Sequence, residues 1–284
     1  MIRILGTIFA GLFGLAFGSF LNVCLSRWPA GESVVQPRSH CRQCDRTLTW
    51  WENVPLVSWL ALRGRCHTCH AWIGWRYPLV EFSVALLWAI VAWRSFNAFF
   101  PLEFAIGMLL FSWVLVGLAV LDAEHLWLPN ALTLPSIALG FVWRFLGGLQ
   151  VGWALEMQST PWENIKDAIG MLLGILAAAG LVLLIRWIYW LIRRREGIGL
   201  GDAKLMALLA AWLGLPCALL AFVLGVVLGA LFALGQLAIP ATRNQPERWA
   251  MSKLPLGTFL CIGGIVSSLW GQTILAAYRR WAGF

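Results

Sequence analysis

Eight apolar runs, at residues 4–25, 79–99, 102–121, 129–149, 168–192, 203–216, 217–239 and 256–278, leave this chain few folds to choose from. Crossing a bilayer takes ~20 apolar residues of helix, and within the lipid every backbone N–H and C=O must be satisfied by the segment itself. The runs therefore predict an all-α polytopic membrane protein with about eight transmembrane helices. The sixth run is short, and Pro216 interrupts it. Composition agrees: 60% of the 284 residues are hydrophobic and only 12% are charged. A soluble all-α protein would carry about 25% charge. The apolar start of the chain lacks a small-residue cleavage site after it and reads as a retained first span.

The polar connections carry the orientation. Loop 26–78 holds Arg27, Arg38, Arg42, Arg46, Arg63, Arg65 and Arg76; segment 193–204 adds Arg193, Arg194, Arg195 and Lys204; segment 240–255 adds Arg243, Arg248 and Lys253. These are fourteen of the twenty-one basic residues, and eight helices alternating from an outside N-terminus put all three segments on the cytoplasmic side. Connection 150–167, with Glu156, Glu163 and Asp167 against Lys166, suits an outside loop. The net charge of +8 thus reports topology. No basic helix or aromatic-basic platform points to nucleic acid, and lipid is the expected surrounding. Many of the nineteen Trp lie at the ends of apolar runs (Trp28, Trp88, Trp93, Trp127, Trp143, Trp153, Trp187, Trp190, Trp281), as headgroup anchors do.

Two acids touch apolar helices. Asp122 ends a hydrophobic run in "VGLAVLDAEHLWLPN", and Asp202 opens the sixth span in "REGIGLGDAKLMALL". Singly, each has a bland reading: Asp122 as an interfacial acid, Asp202 as the N-cap of its helix. Topology puts both at the cytoplasmic face. Two carboxylates that meet there can share one proton, one acting as general base on water while the other polarises a carbonyl. The alternate glycines of Gly197-Ile198-Gly199-Leu200-Gly201 would let an extended backbone approach a peptide by strand-like pairing, which makes Gly199 and Gly201 candidate substrate contacts. There is no Gly-x-Ser-x-Gly elbow and no His-Glu-x-x-His pair, so serine and zincin chemistry have no footing.

The longest polar loop holds Cys41-x-x-Cys44 and Cys66-x-x-Cys69, separated by 21 residues. That spacing matches four-thiolate zinc ribbons, and a reducing compartment disfavours stable disulfides. A structural Zn²⁺ is the reading preferred over a redox pair, with His67 and His70 as alternative ligands. The intervening "WWENVPLVSWLALRG" is amphipathic enough to lie on a membrane surface. Cys24, Cys217 and Cys261 fall in apolar runs and read as packing residues. The chain divides into a first span (1–25), a cytoplasmic zinc-ribbon-like loop domain (26–78) and a transmembrane catalytic domain (79–284).

The stretches "GSFLNVCLSRWP" (18–29), "PRSHCRQCDRTLTWWENVPLVSWLALRGRCHTCHAWIGWRYPLVE" (37–81), "LDAEHLWLPNALT" (121–133) and "GIGLGDAKLMALLAAWLG" (197–214) together resemble the type IV prepilin peptidases. The resemblance implies an aspartic endopeptidase of the bacterial inner membrane, cutting at the cytoplasmic face. Its substrates would be prepilins of type IV pili or pseudopilins of type II secretion, cut after a short basic leader ending in Gly. Asp122 and Asp202 take the places of the family's catalytic aspartates, and the four loop cysteines those of its zinc-binding members. Many such members also N-methylate the new N-terminus with S-adenosylmethionine, whose site no motif here marks. Two segments depart from the family pattern: Pro255-Leu256-Gly257-Thr258, where Pro-Phe-Gly-Pro is frequent, and Pro129-Asn130, where Pro-Asp is. The rival readings are a presenilin-like enzyme cutting within helices, and a zinc-ribbon membrane adaptor or transporter with structural aspartates.

Overall fold

A computed structural model describes residues 1–98, 102–154, 161–195, 199–238 and 254–283. Its long helices are α1 (Ile2–Arg27), α3 (Arg76–Ala98), α4 (Leu102–His125), α5 (Asn130–Ala154), α6 (Pro161–Arg193), α7 (Leu200–Leu213), α8 (Leu215–Ala238) and α9 (Leu256–Ala282). A short α2 (Val57–Ala61) lies in the loop between α1 and α3. Among the described residues, six helices are long and apolar enough to cross a membrane: α1, α3, α4, α6, α8 and α9. Contacts group the chain into two compact units, Met1–Gly117 and Leu118–Phe284, the division falling within α4.

In the first unit α1 packs along α3. The approach is close enough that a Cβ on Gly18 would lie 2.7 Å from the Glu81 Cα, so a small residue is obligatory there. Asn22 on α1 donates to the Tyr77 carbonyl at 2.9 Å, and Arg76 donates to the Ser26 hydroxyl at 2.8 Å. Trp88 is buried and donates to the Leu109 carbonyl at 3.1 Å. Its indole therefore serves helix packing, in contrast to the headgroup anchoring expected from its place in the sequence. Trp93, Trp187, Trp190 and Trp281 keep exposed rings, as such anchors do.

In the second unit α7 is the central element, touching α5, α6, α8 and α9. Residues Asp202–Trp212 of α7 are buried except Lys204, and from Leu205 onward the helix is apolar on every side. Fourteen residues make only ~21 Å of helix. The chain turns at Gly214, whose φ of +82° suits glycine, and Pro216 sits in the first turn of α8. The sixth helix therefore ends before Pro216 and is not interrupted by it: a proline in a first turn forfeits no intrahelical bond. Arg144 of α5 donates to the Ala210 carbonyl at 3.4 Å, near the negative end of α7.

Helix α6 starts at Pro161, seven residues before its apolar run, with Glu163 in its first turn where an acid is favourable. Much of connection 150–167 is thus helical. The basic residues Arg243, Arg248 and Lys253, and Glu156, lie outside the described residues.

Candidate active site and metal centre

The loop between α1 and α3 is built from two matching turns. In the first, the Cys41 N–H donates to the Arg46 carbonyl, the Asp45 N–H donates to the Cys41 carbonyl, and His40 bridges to Thr47. In the second, the Cys66 N–H donates to Ala71, the His70 N–H donates to Cys66, and Arg65 bridges to Trp72. Asp45 and His70, each following the second cysteine of its pair, have φ of 51° and 54°. Those left-handed residues fold each turn back so that both thiols point one way.

The four sulfurs lie within 4.8 Å of one another, with Cys41 and Cys69 Sγ atoms 3.7 Å apart. A disulfide needs ~2.05 Å, whereas a tetrahedron of Zn–S bonds of ~2.3 Å has edges of ~3.8 Å. The donor set fits a metal ion of zinc's preferences. Neither His67 nor His70 belongs to the cluster; the His67 ring stands edge-on to Trp51 at 5.6 Å. Backbone N–H groups of Cys69 and Thr68 pull the Cys66 thiol down, while at Cys69 the Ala71 N–H is outweighed by burial and hydrogen bonds to the other thiols, which push that thiol up. Cys66 is thus the thiolate of the cluster and shares its proton with its neighbours.

A buried acid stiffens the same loop. Glu52 accepts from the Thr49 N–H at 2.8 Å, the Thr49 hydroxyl at 2.6 Å and Arg46 at 2.5 Å. Burial alone would push its carboxyl up; the Thr49 and Arg46 donors outweigh burial and bring it to about 2. Glu81 of α3 accepts the Leu56 N–H at 2.8 Å, tying α2's start to the helix pair.

The second unit holds the aspartates. Asp122 lies in the last turn of α4, which closes when the Leu126 N–H donates to the Asp122 carbonyl. Its buried carboxyl accepts from Thr258 at the start of α9: Oδ2 is 2.7 Å from the backbone N and 3.1 Å from the hydroxyl. Gly257 is pressed against it, since a Cβ there would sit 2.9 Å from the carboxyl carbon. Asp202 is the third residue of α7, and Gly199, not Asp202, is the N-cap. Asp202 reaches back to accept the Gly199 N–H at 3.2 Å.

Both aspartates line one open cleft of about 570 Å³. Leu126, Trp127, Leu128, Asn130, Gly199, Leu200, Gly201 and Lys204 complete the cleft, and Lys204 donates to Asn130 at 2.5 Å. Of the glycine segment, Gly199 keeps extended backbone, with φ −74° and ψ 151°. Gly201 is already helical and packs against Leu128, while Gly197 and Ile198 lie outside the described residues. Of the two glycines expected to pair with a peptide, Gly199 has the extended backbone such pairing needs and Gly201 does not.

Sequence reasoning singled out the two aspartates, which line one cleft, and the four cysteines, which form one cluster. It missed Thr258 and Gly257, which stand 136 and 135 residues from Asp122 in a segment noted only for its departure from a pattern. It also missed Lys204 and Asn130, whose pairing no local spacing announces.

Comparison with known proteins agrees with this geometry. Residues 12–95 match the bacterial peptidase A24 N-terminal domain, and residues 108–234 match the type IV leader peptidase family. The prepilin leader peptidase/N-methyltransferase of Stutzerimonas stutzeri is 35% identical, over 95% of this chain and 93% of that one. The protein of the same name from Pseudomonas aeruginosa is 34% identical, over 96% and 93%. That from Myxococcus xanthus is 36% identical, over 88% and 70%. No solved structure matches the chain significantly. Matches that take in both the four-cysteine loop and the two-aspartate cleft, over nearly the whole length, leave one conclusion: the chain belongs to the type IV leader peptidase family.

Proposed function

We propose that Asp122 and Asp202 form the catalytic pair of a prepilin leader peptidase, and the observation that carries this is their place in one cleft. Family membership makes the chain a leader peptidase. The finer reading is an aspartic mechanism at the cytoplasmic face of a bacterial inner membrane. One carboxylate takes a proton from water, whose oxygen attacks the scissile carbonyl carbon. The other carboxyl gives its proton to the carbonyl oxygen. Collapse of the tetrahedral intermediate breaks the C–N bond, and the proton held by the first carboxyl passes to the leaving amine. One hydroxyl of the intermediate returns a proton to the second carboxylate, leaving a carboxylic acid and the starting pair. Substrates are prepilins or type II secretion pseudopilins, with Gly199 and its neighbours receiving the backbone beside the cut.

Orientation follows from an eight-crossing arrangement in which α5 and α7 add to the six long spans. It puts loop 26–78 and both aspartates on the cytoplasmic side. We assign a Zn²⁺ to Cys41, Cys44, Cys66 and Cys69. Four protein ligands leave no open position, so the metal's part is to hold the loop domain 26–78 folded, apart from the peptidase domain 79–284. S-adenosylmethionine, as second substrate, would supply a methyl group to the new N-terminal amine, in keeping with the names of the relatives. Its recognition is assigned to the cytoplasmic layer that includes this loop, because a charged cofactor does not enter lipid.

Incubating the purified protein with a prepilin and S-adenosylmethionine, then weighing the product's N-terminus, tests both activities. The expected product lacks its leader and carries one added methyl group. Uncleaved prepilin would overturn the reading; cleaved but unmethylated pilin would leave a peptidase alone.

A further inference from the structure

We propose that Thr258 is a positioning residue for Asp122. It commits Oδ2 to the N-terminus of α9 and leaves Oδ1 as the oxygen that exchanges a proton in the cleft. The inference rests on reading Asp122 as half of the catalytic pair, and it assigns each of that carboxyl's oxygens a task.

Thr258 offers two donors to the same oxygen, and they differ in kind. The backbone N–H, 2.7 Å from Oδ2, belongs to the first turn of α9, where N–H groups have no partner inside the helix. It cannot turn away, and a carboxylate at a helix N-terminus is favourably placed. A proton carried on Oδ2 would face this hydrogen head-on, so a protonated Asp122 carries it on Oδ1. The hydroxyl is adjustable. It lies 3.1 Å from Oδ2 and 2.9 Å from the Ala119 carbonyl, and its single hydrogen can serve only one of them at a time. When the carboxyl is ionised the hydroxyl turns to Oδ2; when it is neutral the hydroxyl can return to Ala119. Thr258 thereby follows the charge on Asp122 without moving its backbone.

Gly257 completes the cradle. A Cβ there would meet the carboxyl carbon and Oδ2 at 2.9 Å and Oδ1 at 3.1 Å. Nothing larger than hydrogen fits between α9 and the carboxyl in this rotamer. The two consecutive residues therefore fix both where the carboxyl lies and which edge it presents.

The test is single-turnover cleavage of a prepilin by reconstituted full-length enzyme, with saturating and limiting substrate to separate rate from binding. Thr258→Val keeps shape and N–H but loses the hydroxyl. It should cut the cleavage rate ~10-fold with half-saturation unchanged, the pattern of an interaction that matters in the transition state. Thr258→Ser should restore the rate to within ~3-fold of wild type, since it returns the hydroxyl. Gly257→Ala should cost ~100-fold or more, because it displaces a reacting group by a sizeable fraction of an ångström. If Gly257→Ala does not accumulate, the two Thr258 variants decide. Wild-type rate in Thr258→Val overturns the proposal. So does failure of Thr258→Ser to restore the rate, or a loss that tracks a lowered thermal midpoint. A wild-type enzyme that cleaves nothing, or full cleavage by Asp122→Asn, would sink the peptidase pair itself, a result separate from these.

Discussion

Asp122 and Asp202 are held by different means: one by donors from the far end of the chain, the other by the turn that precedes it. That difference explains how much of the site could be read in advance. Gly199 and Asp202 are three residues apart, so their hydrogen bond is local and the Gly-x-Gly-Asp pattern announces it. Thr258 meets Asp122 across 136 residues, and such a contact has no periodicity to betray it. Asp122→Asn and Asp202→Asn should each lower cleavage by ~10³-fold or more, since an amide can neither accept a proton from water nor deliver one. Both variants should remain in the membrane at wild-type abundance, and Glu103→Gln should cleave normally. Mass measurement of the pilin N-terminus reads all three, and full cleavage by either Asn variant would remove that residue from the catalytic pair.

Helices were the most legible elements, because most of the apolar runs have the length of a span. Their ends were less so. The start of α6 at Pro161 and the break at Gly214 depend on a proline at a first helical position and on a glycine with positive φ, which hydropathy does not sense. The cysteine spacing did announce the paired turns of the loop, though not the Glu52 network behind them. Cys41→Ser and Cys69→Ser should each lose zinc by elemental analysis and become protease-sensitive between residues 38 and 76, because metal binding and folding of such a loop are coupled. Metal-free wild type, purified without chelators, would refute the assignment. Glu52 predicts a pH dependence. Its carboxyl sits at about 2 in the folded loop, below its free value. The stability it contributes is thus fully present above a free pKa of ~4.3 and is lost as pH falls through the folded value. Glu52→Gln should therefore exchange backbone hydrogens faster than wild type at neutral pH in the peptide around residues 46–56. The gap should narrow as pH drops from ~4.3 toward the folded value. A gap that stays constant with pH would mean the carboxylate's charge is not what holds the loop.

Among the described residues, the thiolate cluster lies within residues 1–117 and the aspartate cleft within residues 118–284, each inside one compact unit. If methylation depends on the loop and cleavage on the aspartates, single changes should separate the activities. Asp202→Asn enzyme should still methylate a pilin supplied already cut. Cys66→Ser enzyme should lose methylation at metal concentrations where it still cleaves. Mass spectrometry of the pilin product distinguishes these outcomes, and parallel loss of both activities in Cys66→Ser would show that the loop supports the whole enzyme. Separate sites also have a genetic consequence. Alleles of this gene should fall into two complementation groups, one mapping to the cysteine loop and the other to the aspartate helices. A cell carrying Asp202→Asn on one copy and Cys66→Ser on the other should then make mature, methylated pilin, each protein finishing what the other cannot.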